Sequence, residues 1–558
     1  MQHDEPRTQM KRIMRSFGIG LTTLVACAAW LFPVEVGAQT TGSGFYNVRT
    51  YGAVGDGKTL DTDAINKAIG AASAAGGGTV YFPAGTYLSF SLRLKSNLTL
   101  HLDNGSILLA ADPAEQKGSY DLPEPNEWDM YQDFGHSHWK NSLMWGIGIE
   151  NFAIIGQGMI DGKGLSRRSP GPRRPRSVGE TPTSMANNVS PLGETSDRSE
   201  MNGLGTKAIA LKLSRNITLK DFSIYRAGHF AVLATGVNNL TIDNLRVDTN
   251  RDGFDIDACR NVRISNSYVN TPNDDAIVLK SSYALGFARA TENVTITNSQ
   301  VSGFDLGTLL DGTFKTTQEF APDRDRVTGR IKFGTESNGG FKNITISNIN
   351  FVHCRGLAIE TVDGGWIEDV TISNVTMRDI TTAPIFIRLG ARQRGPEGAP
   401  IGGIRRVNIS NVVVSDADSQ YASIIAGLNG HDIEDVKLSN IIIRYKGGGT
   451  KADADRIVPE NEKNYPEPSM FGVIPAYGFY VRHAKGVTFD NVDVSFDKDD
   501  QRPAFILDDV KGVAFYRTRA RLSAGAKLFD LRNVSNFRAV QTPGIADIFV
   551  EKAERRVF

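Results

Sequence analysis

A six-residue pattern that closes on asparagine recurs along this chain and leaves few folds open to it. NLTIDN occupies 239–244 and NVRISN 261–266, and the pattern returns as NVTITN (293–298), NITISN (343–348), DVTISN (369–374), RVNISN (406–411), DVKLSN (435–440) and GVTFDN (486–491). Looser copies precede these at 149–158 and 214–222. Within each unit apolar residues alternate, as Val262 and Ile264 do, so one face of a short strand points inward. A strand unit returning after 22 residues, the distance from Asn244 to Asn266, is one turn of a coil rather than a separate domain. Other closing asparagines lie up to 51 residues apart, and the excess leaves the coil as loops. The pattern predicts an all-β, single-stranded right-handed parallel β-helix.

The closing asparagine recurs at 244, 266, 298, 348, 374, 411, 440 and 491. Asparagines stacked in a tight turn hydrogen-bond from coil to coil, which accounts for a polar residue at a fixed place. It also reads the sequons at Asn293 and Asn343 as turn positions rather than glycosylation sites. Three stretches are too long for bare turns: 164–204, rich in Pro, Ser and Arg, then 303–328 and 445–476. Near the start, a helix is expected from Asp61 or Thr62 as N-cap, with Ile65, Ile69 and Ala72 as its apolar stripe and Gly76–Gly78 as its end. It would cover the open end of the coil. Strands are expected around 79–82, 88–94 and 98–102.

Lys11, Arg12 and Arg15 precede an apolar run from Phe17 to Val34, and Val36-Gly37-Ala38 offers small residues for cleavage. Residues 1–38 read as a signal peptide, with Met10 as an alternative start, and 39–558 as one β-helix domain. Export to the periplasm or medium is expected, ahead of a membrane anchor or of lipidation at Cys27. The two later cysteines, Cys259 and Cys354, are far apart and read as buried free thiols. Lys+Arg balance Asp+Glu at 62 each, giving no reason to expect nucleic acid or an anionic membrane as partner.

The chemistry-bearing residues gather in two consecutive units. Asp252 follows the first copy and the pair Asp274–Asp275 the second, with Asp274 lying 22 residues after Asp252, as far apart as the copies themselves. On a coil that spacing stacks the carboxylates one strand apart, roughly 4.8 Å. Carboxylates so crowded repel, which raises at least one pKa and suits an acid that must stay protonated.

Three stretches carry a resemblance to glycoside hydrolase family 28, the polygalacturonase-like pectin hydrolases: AVGDGKTLDTDAINKAI (53–69), IIGQGMIDGKG (154–164) and NRDGFDID with NDDAIVLKS (250–257 and 273–281). The similarity covers about residues 45–500 and implies a pectate-lyase-like solenoid fold. The family's Asn-Thr-Asp element appears as Asn250-Arg251-Asp252 and its Asp pair as Asp274-Asp275. The resemblance implies Asp274 as general acid and Asp252 with Asp275 as the base that activates water for inverting hydrolysis. It implies no metal or organic cofactor.

The family's Gly-His-Gly and Arg-Ile-Lys elements have two readings here. Arg330-Ile331-Lys332 matches the second literally, so Arg330 and Lys332 would hold substrate. In the other register that tripeptide occupies the Gly-His-Gly coil, no histidine is present, and Ala358-Ile359-Glu360 stands where Arg-Ile-Lys is expected. Other candidates for gripping an acidic sugar are Lys280, in strand phase with Asp274, and Arg388, Arg392 and Arg394, leaving a strand at 384–388. His229 lies one coil before Asp252, and His136, His138 and Trp139 could form a sugar-stacking wall. His483 reads as structural.

These readings point to an exported glycoside hydrolase acting on α-linked galacturonic-acid-containing pectic material, either polygalacturonan or rhamnogalacturonan, with long loops favouring chain ends. Two alternatives keep the fold and change the chemistry. One is a Ca²⁺-dependent pectate-lyase-like eliminase using Asp252, Asp255, Asp257, Asp274 and Asp275. The other is a non-catalytic glycan-binding β-helix.

Overall fold

The computed structural model describes residues 44–167, 198–321 and 326–558. The expected signal peptide, Met10, Cys27 and most of the 164–204 stretch lie outside the described residues.

The early coils are built from three short strands, and in later ones the second and third run on as one long strand, such as Phe341–Cys354 or Trp366–Ile380. Around the acidic block the three are Phe230–Thr235, Asn238–Asp243 and Arg246–Asp248, and each pairs in parallel with its counterpart one coil on: Asp252–Asp257, Arg260–Ser265 and Tyr268–Asn270. The alternation predicts what is buried. In Arg260–Ser265 only Val262 and Ile264 are buried, and they stack on Leu240 and Ile242 of the preceding coil. Repetition makes one continuous apolar core from Val48 to Val550. Each fully buried Val, Ile or Leu contributes about 1.5–3 kcal/mol. Cys259 and Cys354 lie in this core as free thiols, as expected.

The corners are set by asparagine. Asn266, Asn298, Asn348 and Asn374 all adopt left-handed backbone, φ 50–57°, which asparagine tolerates better than most residues. Their amides donate down the stack, Asn348 to Asn298 at 3.0 Å and Asn374 to Asn348 at 3.1 Å. A second ladder, not foreseen, runs Asn216, Asn239, Asn261, Asn293, Asn343 at the start of the same strands. The sequon asparagines thus spend their side chains on neighbouring coils.

Helix Thr62–Ala74 buries Ile65, Ala68, Ile69 and Ala72 against the first coil. Asp61 occupies the N-cap position but does not cap the helix: its carboxylate accepts instead from the backbone N–H of Val54 and Gly55. The expected strand at 88–94 is split into Gly85–Ser89 and Leu92–Arg93. At the far end Ile548–Val557 turns back antiparallel onto Phe529–Val540, covering an edge that stacked coils would otherwise leave unpaired. The loop expected at 445–476 begins after strand Ile433–Gly447 and holds a short helix, Lys451–Ala454, and a 3-10 turn, Pro468–Phe471.

Candidate active site

The three aspartates meet, but in a register one residue away from the expected one. Strands Asp252–Asp257 and Ile277–Ser281 pair with Phe254 opposite Ile277, an offset of 23 (277 − 254). That offset sets Asp275, not Asp274, in line with Asp252 (252 + 23), and Gly253 N–H donates to the Asp275 carbonyl at 3.0 Å. The extra residue comes from an irregular turn held by Thr271 and Thr328, whose hydroxyls both donate to the Asp274 carbonyl. Asp274 is thereby turned into the same space. One carboxylate oxygen from each aspartate lies within 4.8 Å of the others, and the Asp275 N–H is shared between Asp252 Oδ1 and Asp274 Oδ1, 3.2 Å to each.

Their surroundings push them apart electrostatically. Burial, reinforced by the neighbouring charge of Asp274, raises Asp252 well above the usual carboxylate range. Burial alone would raise Asp275 too, but Lys332 and Arg330 outweigh it and bring Asp275 below that range. Arg330 Nε lies 2.8 Å from Asp275 Oδ1 and Lys332 Nζ 3.6 Å from Oδ2. Arg251 donates to Asp274 Oδ2 at 2.6 Å. The site therefore sets one carboxyl biased toward its protonated form, Asp252, beside one biased toward its ionised form, Asp275, an arrangement suited to acid–base chemistry.

Pairing decides between the two registers of Arg330-Ile331-Lys332. Ile331 pairs with Ile277 and Lys332 with Val278, so the tripeptide is on the coil directly after the Asp pair, and Ala358 pairs with Lys332 one coil later. The second reading holds: Glu360 stands where the resemblance expected a basic residue. Arg330 and Lys332 are nonetheless part of the site, through Asp275. Both are buried and spoken for by acids, Arg330 by Glu467 (3.0 and 2.5 Å) and Lys332 by Glu360 (3.5 Å) and the Tyr465 hydroxyl (3.0 Å).

Lys280 does not stand out on the wall as expected. It is buried under the site, 3.0 Å from Asp255 and 3.4 Å from Glu336, and in contact with His136 Nε2. His136 also meets Asp255 Oδ2 at 2.8 Å. Burial alone would raise Glu336, but Lys280 holds it well below the usual range. Trp139 is fully buried, its indole N–H on Thr235, and His138 packs between the Glu124 carbonyl and Asp129, so neither offers a sugar-stacking face. Arg388 is also buried, inside strand Ile385–Leu389, donating to the carbonyls of Gly427 and Glu460. Arg392 is bound by Asp363, and Arg394 reaches the Tyr131 carbonyl, Asp133 and Glu336. Asp257 accepts from Ser282 N–H and hydroxyl. His483 lies between Glu460 and Asp509, as a structural residue should.

His229 precedes Phe230, which pairs with Asp252, so it lies buried on the coil before that aspartate. Its ring stacks on Phe230 at 4.4 Å, and its Nδ1 finds no hydrogen-bond partner among the described residues. Burial, then the charge of Arg251, keeps it neutral. Lys207, missed in the sequence, pairs with Phe230 from the other side; buried against Asn141 and Thr206, it is brought down to about 7 by burial. Glu336 and Glu467 were missed as well, since neither sits at a repeat position.

Three family models match successive stretches: "Rhamnogalacturonase A/epimerase, pectate lyase-like" over residues 45–167, "Right handed beta helix region" over 193–312 and "Glycosyl hydrolases family 28" over 331–461. A probable polygalacturonase of Vitis vinifera is 23% identical over 70% of this chain and 73% of its own length. An exo-poly-alpha-D-galacturonosidase of Dickeya chrysanthemi is 22% identical over 77% of this chain and 73% of its own. The chain is a glycosidase related to glycoside hydrolase family 28. Solved structures agree on the glycosidase's fold, a right-handed parallel β-helix. The family 28 exopolygalacturonase of Yersinia enterocolitica superposes with TM-score 0.60 at 21% identity, covering 84% of this chain and 78% of that one. The exopolygalacturonase of Thermotoga maritima superposes with TM-score 0.55 at 18% identity, covering 91% and 94%.

Proposed function

We propose that this glycosidase is exported and hydrolyses α-linked galacturonic-acid-containing pectic chains, polygalacturonan or rhamnogalacturonan, with Asp274 as general acid and Asp252 and Asp275 activating water. The observation that carries this reading is the trio of carboxylates within 4.8 Å, one raised and one lowered by its surroundings. The printed activities of the Vitis and Dickeya relatives favour a galacturonan substrate. Products of an oligogalacturonide and rhamnogalacturonan panel, separated by mass, test it: saturated fragments support it and absence of cleavage defeats it.

Inversion is proposed on the family resemblance. The nearest carboxylate oxygens are closer than the ~6.5–9.5 Å between carboxyl groups usual in inverting enzymes. Proton NMR of the first product settles the outcome: the β-anomer means inversion, the α-anomer retention with a carboxylate nucleophile. Action from chain ends is favoured by the loop at 448–478, which brings Tyr465 and Glu467 onto Lys332 and Arg330 and walls one side of the site. Early appearance of mid-chain fragments would contradict it.

A Ca²⁺-dependent elimination remains the second reading, because three clustered carboxylates are also cation ligands. Two of its five acids are engaged elsewhere, Asp255 by Lys280 and His136 and Asp257 by Ser282. Loss of activity in chelator, with unsaturated products, would favour it. Among the described residues no helix is long and apolar enough to cross a membrane.

A further inference from the structure

The loop at 111–143, between strands Ser106–Ala110 and Met144–Ile147, carries aromatic rings that the proposed chemistry does not use. Trp128 and Tyr131 lie on it, and Tyr283 comes from the turn after strand Ile277–Ser281. The two loop rings are near-parallel, 18° apart with centroids at 6.5 Å, and Tyr283 meets both edge-on, at 5.4 Å and 5.6 Å. Trp128 is 36% exposed, whereas Trp139 on the same loop is fully buried. Both tyrosines are half-buried.

The rings are fixed in place by their own chain. The Asn126 amide donates to the carbonyls of Ser137 and Ala284, both at 3.0 Å, tying the loop to the turn that bears Tyr283. The same side chain accepts from Trp128 N–H at 3.0 Å, and Gln132 donates to the Trp128 carbonyl at 2.6 Å. Gly286 seats the indole, since a Cβ there would come 2.4 Å from its Nε1. A face preorganised in this way loses little freedom on binding.

Both segments are anchored beside the aspartates. Ser282, just before Tyr283, donates its N–H and hydroxyl to Asp257, and His136, five residues after Tyr131, meets Asp255. Arg394 joins the Tyr131 carbonyl, at 3.1 Å, to Glu336, at 3.5 Å, the partner of Lys280. Asp257 lies five residues along its strand from Asp252, about 16 Å, so the rings stand more than one sugar unit from the carboxylate trio.

We propose that Trp128, Tyr131 and Tyr283 form a distal subsite that stacks a pyranose ring of the same pectic chain, remote from the bond being cut. An aromatic face packs on the C–H face of a sugar, while the tyrosine hydroxyls and the indole N–H suit its hydroxyl groups. Binding energy gained at a distance is used at the reacting centre, so the subsite favours long chains over short ones. This inference rests on the hydrolase reading above.

The test measures kcat/KM on a ladder of pectic oligosaccharides, from the dimer upward, for wild type, Trp128→Ala and Trp128→Phe. Wild-type kcat/KM should rise with length, and Trp128→Ala should lose about 10-fold more on the longest chain than on the dimer. Trp128→Phe, which keeps an aromatic face, should lose less. If Trp128 only props the loop, both ends of the ladder fall alike, which overturns the inference and leaves the hydrolase reading intact. If the alanine variant does not fold, tryptophan emission of wild type and Trp128→Phe decides. A long oligosaccharide should quench the part of the signal that the phenylalanine variant lacks, and no quenching overturns the subsite. If wild type cleaves none of the ladder, the hydrolase reading falls and the same quenching measurement still judges the subsite.

Discussion

Arg330 and Asp275 sit on consecutive coils with Nε and Oδ1 2.8 Å apart, and the other end of the same guanidinium is clamped by Glu467, 137 residues further along the chain. One buried arginine thus joins the proposed catalytic wall to the loop that covers it. Burial alone would raise Glu467, but Arg330 and Arg355 hold it at about 2.

Removing that arginine should harm fold and catalysis together. Arg330→Met leaves Asp275 and Glu467 buried without their shared cation, and breaking a buried pair from one side costs about 3–5 kcal/mol. Urea unfolding should show that loss. Glu467→Gln, which spares Asp275 its arginine, should cost less activity than Arg330→Met. Equal activity in both would place Asp275 outside the reaction.

The asparagine ladder should carry stability in two separable parts. Asn374 donates to Asn348 and accepts from Asn411, each at 3.1 Å, with φ 56°. Asn374→Ala loses both bonds and forces alanine into left-handed backbone, a strain of about 1–2 kcal/mol. Asn374→Gly loses the bonds without the strain. Denaturation midpoints should therefore order wild type, Gly, Ala; an alanine variant as stable as the glycine one would deny the ladder its conformational role.

Glu360 should make stability depend on pH. Burial, partly offset by Lys332, raises it from 4.5 to about 7. A carboxyl raised in the folded state binds its proton more tightly there than when unfolded. Its contribution is present below the unfolded pKa and lost as pH rises through the folded one. Between pH 4.5 and about 7 the stability of wild type relative to Glu360→Gln should therefore fall. A difference that is flat, or that grows with pH, would show Glu360 ionised throughout.

Much of this was readable in advance, and the reasons are local. Val262 and Ile264 announce a strand by alternation, and Asn266 announces its corner because few other residues accept that backbone. The clustering of Asp252 with Asp274 and Asp275 followed from repeat spacing. The register did not: one extra residue in the turn before Ile277 brings Asp275 into line, and nothing in NTPNDD says where a turn will absorb it. Partners supplied by loops were equally hidden. Glu467 lies in a stretch without periodicity, so its bond to Arg330 exists only in three dimensions. Lys280 was read as lining the wall because strand phase gives direction but not what packs above, and Arg388 was read as leaving its strand when it lies inside it. Ile548–Val557 escaped because an antiparallel end strand breaks the repeat it closes.

The account turns on Asp274 delivering a proton while water attacks. Wild type and Asp274→Asn should be incubated with an oligogalacturonide in water enriched in oxygen-18, and the products weighed. Hydrolysis places one heavy oxygen in a saturated product at each cut, and losing the general acid should slow that reaction by about 10²–10⁴-fold in a variant that still folds. Unsaturated products without the label, or an Asp274→Asn enzyme as fast as wild type, would contradict it.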